Sequence, residues 1–229
     1  KQVMLNSDLF LYDGKFIEIL RDPNFFLNLC SEFNKKIAGE DDTAQTIFLC
    51  VNGRLIINCL PTSFNLLINS ESGTGKDFVT NAVLQILPKD YYVKRTRISP
   101  TTFTYWHNSK WEPDWTWDGK VCYLEDVSNN VLNHEVFKVM TSSGSFATVV
   151  IDQRATDIEI HGKPVVIVTS ASATPQPELV RRLIPLKMDE SVNQTNAILK
   201  KQAEYAVNGK VSDYNEDYIE AQRFLNRVN

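Results

Sequence analysis

From residue 64 onward the chain repeats one order: a short apolar run, a longer stretch at helical spacing, then another apolar run. The runs at 64–68, 91–93, 121–124, 164–169 and 184–188 predict strands, and in the fourth Val165, Val166, Ile167, Val168 and Thr169 are all β-branched. Between them, 77–87 (closed by Pro88), a start at 99–102, 136–140 ending near Gly144, and 179–183 predict helices. Residues 146–151 and 158–160 read as the arms of a hairpin around the turn 152–157. Apolar strands alternating with helices predict an α/β fold, a parallel sheet covered by helices on both faces.

The flanks differ. Residues 1–22 mix short apolar runs around Asp13-Gly14 and read as a hairpin or irregular arm. Asp22 is placed to cap a helix whose first turn takes Pro23, with Phe25, Phe26, Leu29, Cys30 and Phe33 on one face. Gly39 ends it, and Asp41-Asp42-Thr43 opens another running toward Leu55 and Ile56. From Ser191 the pattern is helical to the end, apart from a loop at Asn208-Gly209. These shifts divide the chain into an arm and helical segment (1–60), a core (61–205) and a C-terminal helical segment (206–229).

Composition narrows the function classes. At 229 residues and 43% hydrophobic, the chain can bury one full core. A net charge of −4 removes the simplest case for nucleic-acid binding, a basic chain as a whole. Any such contact must be local. Cys30, Cys50, Cys59 and Cys122 lack metal-ligand spacing and read as reduced, buried thiols of a cytoplasmic protein. No apolar run approaches the roughly 18 residues of a membrane span, so no membrane partner is expected.

The strongest chemical signal follows the first core strand. Ser70-Glu71-Ser72-Gly73-Thr74-Gly75-Lys76-Asp77 leads into an amphipathic helix. Small residues let successive amides curl around a phosphate, the helix N-terminus favours its charge, and Lys76 adds a cation. Ser72, Gly73, Thr74, Gly75, Lys76 and Asp77 are therefore the candidate residues for binding ATP. Two positions depart from the phosphate-loop pattern: Ser70 replaces the first glycine, and Asp77 the metal-binding hydroxyl. Asp77 would hold Mg²⁺ indirectly, through water.

Hydrolysis needs acids at a neighbouring strand end. Val121-Cys122-Tyr123-Leu124-Glu125-Asp126 supplies two. Glu125 is placed in the metal-positioning role and Asp126 in the water-activating role, with their order left open. Thr169, ending another core strand, is the candidate for holding the attacking water near the γ-phosphate. Arg182, of Arg181-Arg182-Leu183, is the candidate arginine finger acting on a neighbouring subunit's nucleotide. Asp126, Thr169 and Arg182, with Lys76 and Glu125, make up the expected catalytic set.

Strand, phosphate loop, helix, acidic strand, polar strand and Arg-Arg-Leu occur in the order and spacing of AAA+ ATPases, which the chain resembles. The segment from Ala38-Gly39-Glu40 into the loop, and Asp189-Glu190-Ser191 followed by Gln194-Thr195, are similar to the superfamily 3-like helicase module of phage and mobile-element primase-helicases. Over roughly 36–205 this resemblance implies a P-loop NTPase that hydrolyses ATP with Mg²⁺, works as a homo-oligomeric ring (a hexamer in such helicases), and acts on single-stranded or forked DNA beside a primase. It also implies that the hairpin tip lines the DNA channel, with Gln153 and Arg154 as contacts. An ordinary surface hairpin is the competing reading. A nucleotide-binding switch, or a remodeller of protein, is the alternative to the helicase.

Two clusters stay open. The run 89–97 interleaves Lys and Arg with Tyr91 and Tyr92, as single-strand binding surfaces do, and equally reads as a solvated edge strand. Trp106, Trp111, Trp115 and Trp117 crowd one stretch that reads as packing of an irregular insertion, as a subunit contact, or as a base-stacking surface.

Overall fold

The structure is a computed structural model. It describes residues 14–56, 58–100, 102, 115–172, 174–209 and 213–228. The arm before residue 14, Trp106 and Trp111 lie outside the described residues. Two compact units are present, one built from the described parts of 1–49, 73–89 and 187–229, the other from those of 50–72 and 90–186.

The second unit holds the sheet. Its strands are β1 (Leu66–Asn69), β2 (Tyr92–Arg95), β3 (Val121–Leu124), β6 (Val165–Ser170) and β7 (Ile184–Leu186), with the hairpin β4 (Phe146–Ile151) and β5 (Arg154–Glu159) between β3 and β6 in the chain. The five core strands run parallel in the order β2-β3-β6-β1-β7. The expected α/β class is observed. All four residues of β3 and all six of β6 are buried, which is why both read as unbroken apolar runs. Helices α5 (Asn129–Leu132) and α6 (Glu135–Met140) place Val131, Leu132, Val136, Phe137 and Met140 in one cluster with Cys122, Leu124, Val166, Val168 and Trp117. Trp117, from the aromatic stretch, is thus a core residue. His134 caps α6, its Nδ1 accepting from the Val136 amide at 3.4 Å.

Several boundaries move. The first strand begins at Leu66, because Pro61–Phe64 forms a 3-10 turn and Asn65 turns its side chain inward. Asn65 Oδ1 accepts from the Val166 amide at 2.8 Å, its Nδ2 donates to Thr141 O at 3.4 Å, and its carbonyl accepts from Ile184 at 2.7 Å. Through its side chain Asn65 ties β6 and the residue after α6 to the start of β1, and through its main-chain carbonyl it ties β7. The hairpin turn is shorter than the expected 152–157. Only Asp152 (φ 49°) and Gln153 (φ 62°) turn, both left-handed, and Arg154 already pairs with Ile151.

Lys163 fixes the roots of the hairpin. Its Nζ donates to Val139 O at 2.9 Å and to Gly144 O. Burial pushes the ammonium down from 10.5 to about 8. Between those values the folded chain binds fewer protons here than the unfolded chain, so this group adds stability as pH rises through the window. Wild type should therefore gain stability relative to Lys163→Met between pH 8 and 10.5, as paired urea melts at each pH will show.

In the first unit, α1 (Lys15–Arg21) packs against α9 (Glu216–Val228), with Phe16 and Phe224 rings 5.5 Å apart. Within the stretch expected to be a hairpin or arm, residues 15–21 are thus helical. Seven residues hold no stable helix alone, and the packed partner decides their state. Helix α2 (Phe25–Phe33) starts after Asn24. Asp22 does not cap it; its carboxylate accepts from the Asn24 amide at 2.8 Å and from Asn28 Nδ2 at 2.6 Å. Helices α3 (Asp41–Asn52), α4 (Lys76–Leu84) and α8 (Val192–Asn208) follow, and α7 (Pro177–Val180) belongs to the sheet unit. No helix among the described residues is long and apolar enough to cross a membrane.

Candidate nucleotide site

Strand order brings three expected elements to one sheet edge. β6 lies between β3 and β1, so the strand leading into Glu125, the strand carrying Thr169 and the strand entering the phosphate loop lie side by side in the sheet. Their ends are bonded. The Ser70 amide donates to Ser170 O at 3.4 Å, the Val127 amide to Thr169 O at 3.0 Å, and Ser170 Oγ to Val127 O at 3.1 Å. Asp126 adopts φ 49°, and its amide donates to Thr169 Oγ1 at 3.3 Å. The Thr169 hydroxyl thus helps hold the backbone of the acid next to it.

The two acids face different surroundings. Glu125 is buried, with Lys94 Nζ 2.7 Å from Oε1 and Thr96 Oγ1 donating to Oε2 at 2.7 Å. Asp126 is exposed, and its carboxylate makes no hydrogen bond or ion pair among the described residues. Lys94 and Thr96 stand on and just past the edge strand β2, and no motif in the sequence marks them for this site. The basic run gave only a generic signal; the pairing of Tyr92–Arg95 with Val121–Leu124 selects these two side chains.

The other half of the motif lies in the first unit. Gly73 (φ 88°) and Gly75 (φ 85°) are left-handed, and a Cβ at either would meet nothing within 4 Å. Glycine is needed here for backbone shape, and the space over the loop is open. Lys76 is buried as the first residue of α4, and Thr80 Oγ1 and Asn81 Nδ2 bind the Lys76 and Asp77 carbonyls at 2.8 and 2.6 Å. Thr74 and Asp77 are half-buried, and Ser72 is exposed.

Beside the loop lies a cavity of about 710 Å³, walled by Ile37, Ala38, Phe78, Met188, Ile198 and Tyr205 as well as the glycines. That is the size and apolar lining of a small-ligand pocket. The two outlying motifs build its wall. The Asp189 amide donates to Glu40 Oε1 at 2.9 Å, and Gln194 Nε2 donates to Ala38 O at 2.6 Å. Gly39 sits at φ 70°, where a Cβ would lie 2.1 Å from Gln194 Oε1. The apolar wall residues carry no individual sequence signal.

The remaining candidates stand apart. Gln153 and Arg154 are exposed at the hairpin tip. Arg182 donates to Lys138 O at 2.7 Å and pairs with Glu178, while Arg181 is exposed.

A buried parallel sheet whose first strand enters a glycine turn and a lysine-led helix, with acids ending a strand two places away, defines a P-loop nucleoside-triphosphatase domain. The family model of the MTBMA_p00010 P-loop domain matches residues 11–228, and the chain belongs to that family. No curated protein matches the chain. A P-loop domain binds nucleotide and characteristically uses a divalent ion. Within the first unit, the open loop, the apolar cavity and the carboxylate of Asp77 fit these groups.

Proposed function

We propose that the chain is the ATP-hydrolysing motor of a DNA helicase or translocase related to superfamily 3, working as a homo-oligomeric ring, probed most directly on single-stranded or forked DNA. The adjacency of β3, β6 and β1 supports this most. In this reading Lys76 and the loop amides bind the β- and γ-phosphates, and the wall around Ile37 and Met188 takes the base. Asp126 orients the attacking water and accepts its proton. Thr169, bonded to the Asp126 amide, positions that acid. Asp77, through water, and the strand-end acids would hold Mg²⁺, which neutralises phosphate charge when bound. Arg182, on leaving Glu178, or its exposed neighbour Arg181, reaches the next subunit's nucleotide. Six copies of Gln153 and Arg154 would gather on the DNA backbone. A primase partner and a host-cytoplasm setting belong to the same reading.

One observation favours a second reading. Both oxygens of Glu125 are held, by Lys94 on β2 and by Thr96 just past it, which suits a nucleotide-binding switch with little turnover. Phosphate release with and without single-stranded DNA separates the two. A motor turns over in wild type, is stimulated by DNA, and loses about 10²–10⁴-fold in Asp126→Asn with nucleotide binding kept. A switch shows negligible turnover whatever DNA is added, and Lys94→Ala, by releasing Glu125, raises it roughly fivefold, the worth of one such pair.

A further inference from the structure

The described walls of the 710 Å³ cavity all belong to the first unit. Their polar side chains are largely turned on the protein itself. Buried Glu40 accepts from the Asp189 amide at one oxygen and from Thr43 Oγ1, at 2.6 Å, at the other. Buried Gln194 spends its Nε2 on the Ala38 carbonyl. Lys36 Nζ donates to Gln85 Oε1 at 2.7 Å and lies 4.2 Å over the Tyr214 ring. Lys201 Nζ donates to Asn34 O at 2.7 Å, and the Tyr205 hydroxyl to Lys35 O at 2.5 Å. The groups left over stand in water. Gln202 and the amide nitrogen of Gln85 make no hydrogen bond among the described residues, and both side chains are exposed. Asp213 is exposed too, 4.0 Å from Lys36 Nζ. What the cavity does offer is a ring face. Phe78, in the first turn of α4 two residues after Lys76, is 57% exposed where it lines the space.

We infer that the site takes purine nucleoside triphosphates as a class, with the base stacked on Phe78 and its hydrogen-bonding edge left unread. This selectivity rests on the loop binding a triphosphate, as proposed above, and needs neither hydrolysis nor DNA. Strong discrimination between similar ligands comes from fixed, buried polar groups that the wrong ligand leaves unpaired, and an apolar wall supplies little of it. Adenine and guanine differ in the donors and acceptors on their edges, and the buried polar side chains that would sense the difference are already bonded within the protein. A glutamine amide carries both a donor and an acceptor, so at the rim it serves the amino group of one purine and the carbonyl of the other. Stacking tolerates any base, because every base has a π face, and the two fused rings of a purine cover more of Phe78 than a single pyrimidine ring.

Calorimetric titration of the full chain with the non-hydrolysable β,γ-imido analogues of ATP, GTP and CTP, with Mg²⁺, tests this in wild type and Phe78→Ala. The ring is exposed, so the variant keeps the fold, which far-UV circular dichroism will verify. The ATP and GTP analogues should bind wild type within about tenfold of each other, the low end of what apolar fit alone discriminates. The CTP analogue should bind more weakly than both. Phe78→Ala should weaken both purine analogues about fivefold or more, the worth of one stacked base. A larger preference between the purines, a CTP analogue that binds as tightly as they do, or a Phe78→Ala variant that spares either purine overturns the inference and leaves the nucleotide site standing. Wild type that binds none of the three brings down the nucleotide reading, and this selectivity with it.

Discussion

Lys76→Ala is expected to lower ATP turnover by at least about 10²–10³-fold, the cost of losing one preorganised charge at a reacting phosphate. The side chain opens α4 directly after two left-handed glycines, over a loop with open space above it. The helix should survive the change, because the bond from Thr80 Oγ1 goes to the backbone carbonyl of residue 76. Helical signal and melting temperature should therefore stay near wild type while phosphate release collapses. Turnover within threefold of wild type would mean that the glycine turn serves only to start a helix, and the nucleotide reading would fall.

The largest expected loss of stability comes from Asn65→Leu, a substitution close in volume that keeps the site apolar. It strands the Val166 amide, fully buried in the middle of the sheet, without its 2.8 Å acceptor. Leaving one buried donor unmatched costs about 1–3 kcal/mol. For a chain of this size that is a fall of roughly 2–12 °C in melting temperature. The companion Asn65→Asp keeps the acceptor and should recover part of the loss. A leucine variant as stable as wild type would show that Val166 finds another partner.

The central strands were legible because burial on both faces leaves an unbroken apolar run. The glycines of the loop announced a backbone conformation that few other residues adopt. What the sequence could not display was pairing. Lys94 belongs to an ordinary charged run until β2 lies in register with β3, when its ammonium meets Glu125. Asn65 reads as an interruption in an apolar stretch, yet it joins three elements. Residues 15–21 failed for a related reason: the apolar residues of so short a segment fit either period, and α9 settles it. Ile37, Met188 and Tyr205, which wall the cavity, are ordinary apolar residues in ordinary helical surroundings, and only the closing of the chain gathers them.

The pairing of Leu66 with Ile167 has a further consequence for how the molecule is made. The phosphate-loop strand is synthesised early, yet its neighbour on one side begins a hundred positions later and its neighbour on the other later still. During translation β1 must wait, unpaired and apolar, while β2, β3 and the whole hairpin emerge. Closure over so long a separation is slow, and nascent chains halted before β6 present a bare apolar ribbon that invites chaperones or self-aggregation.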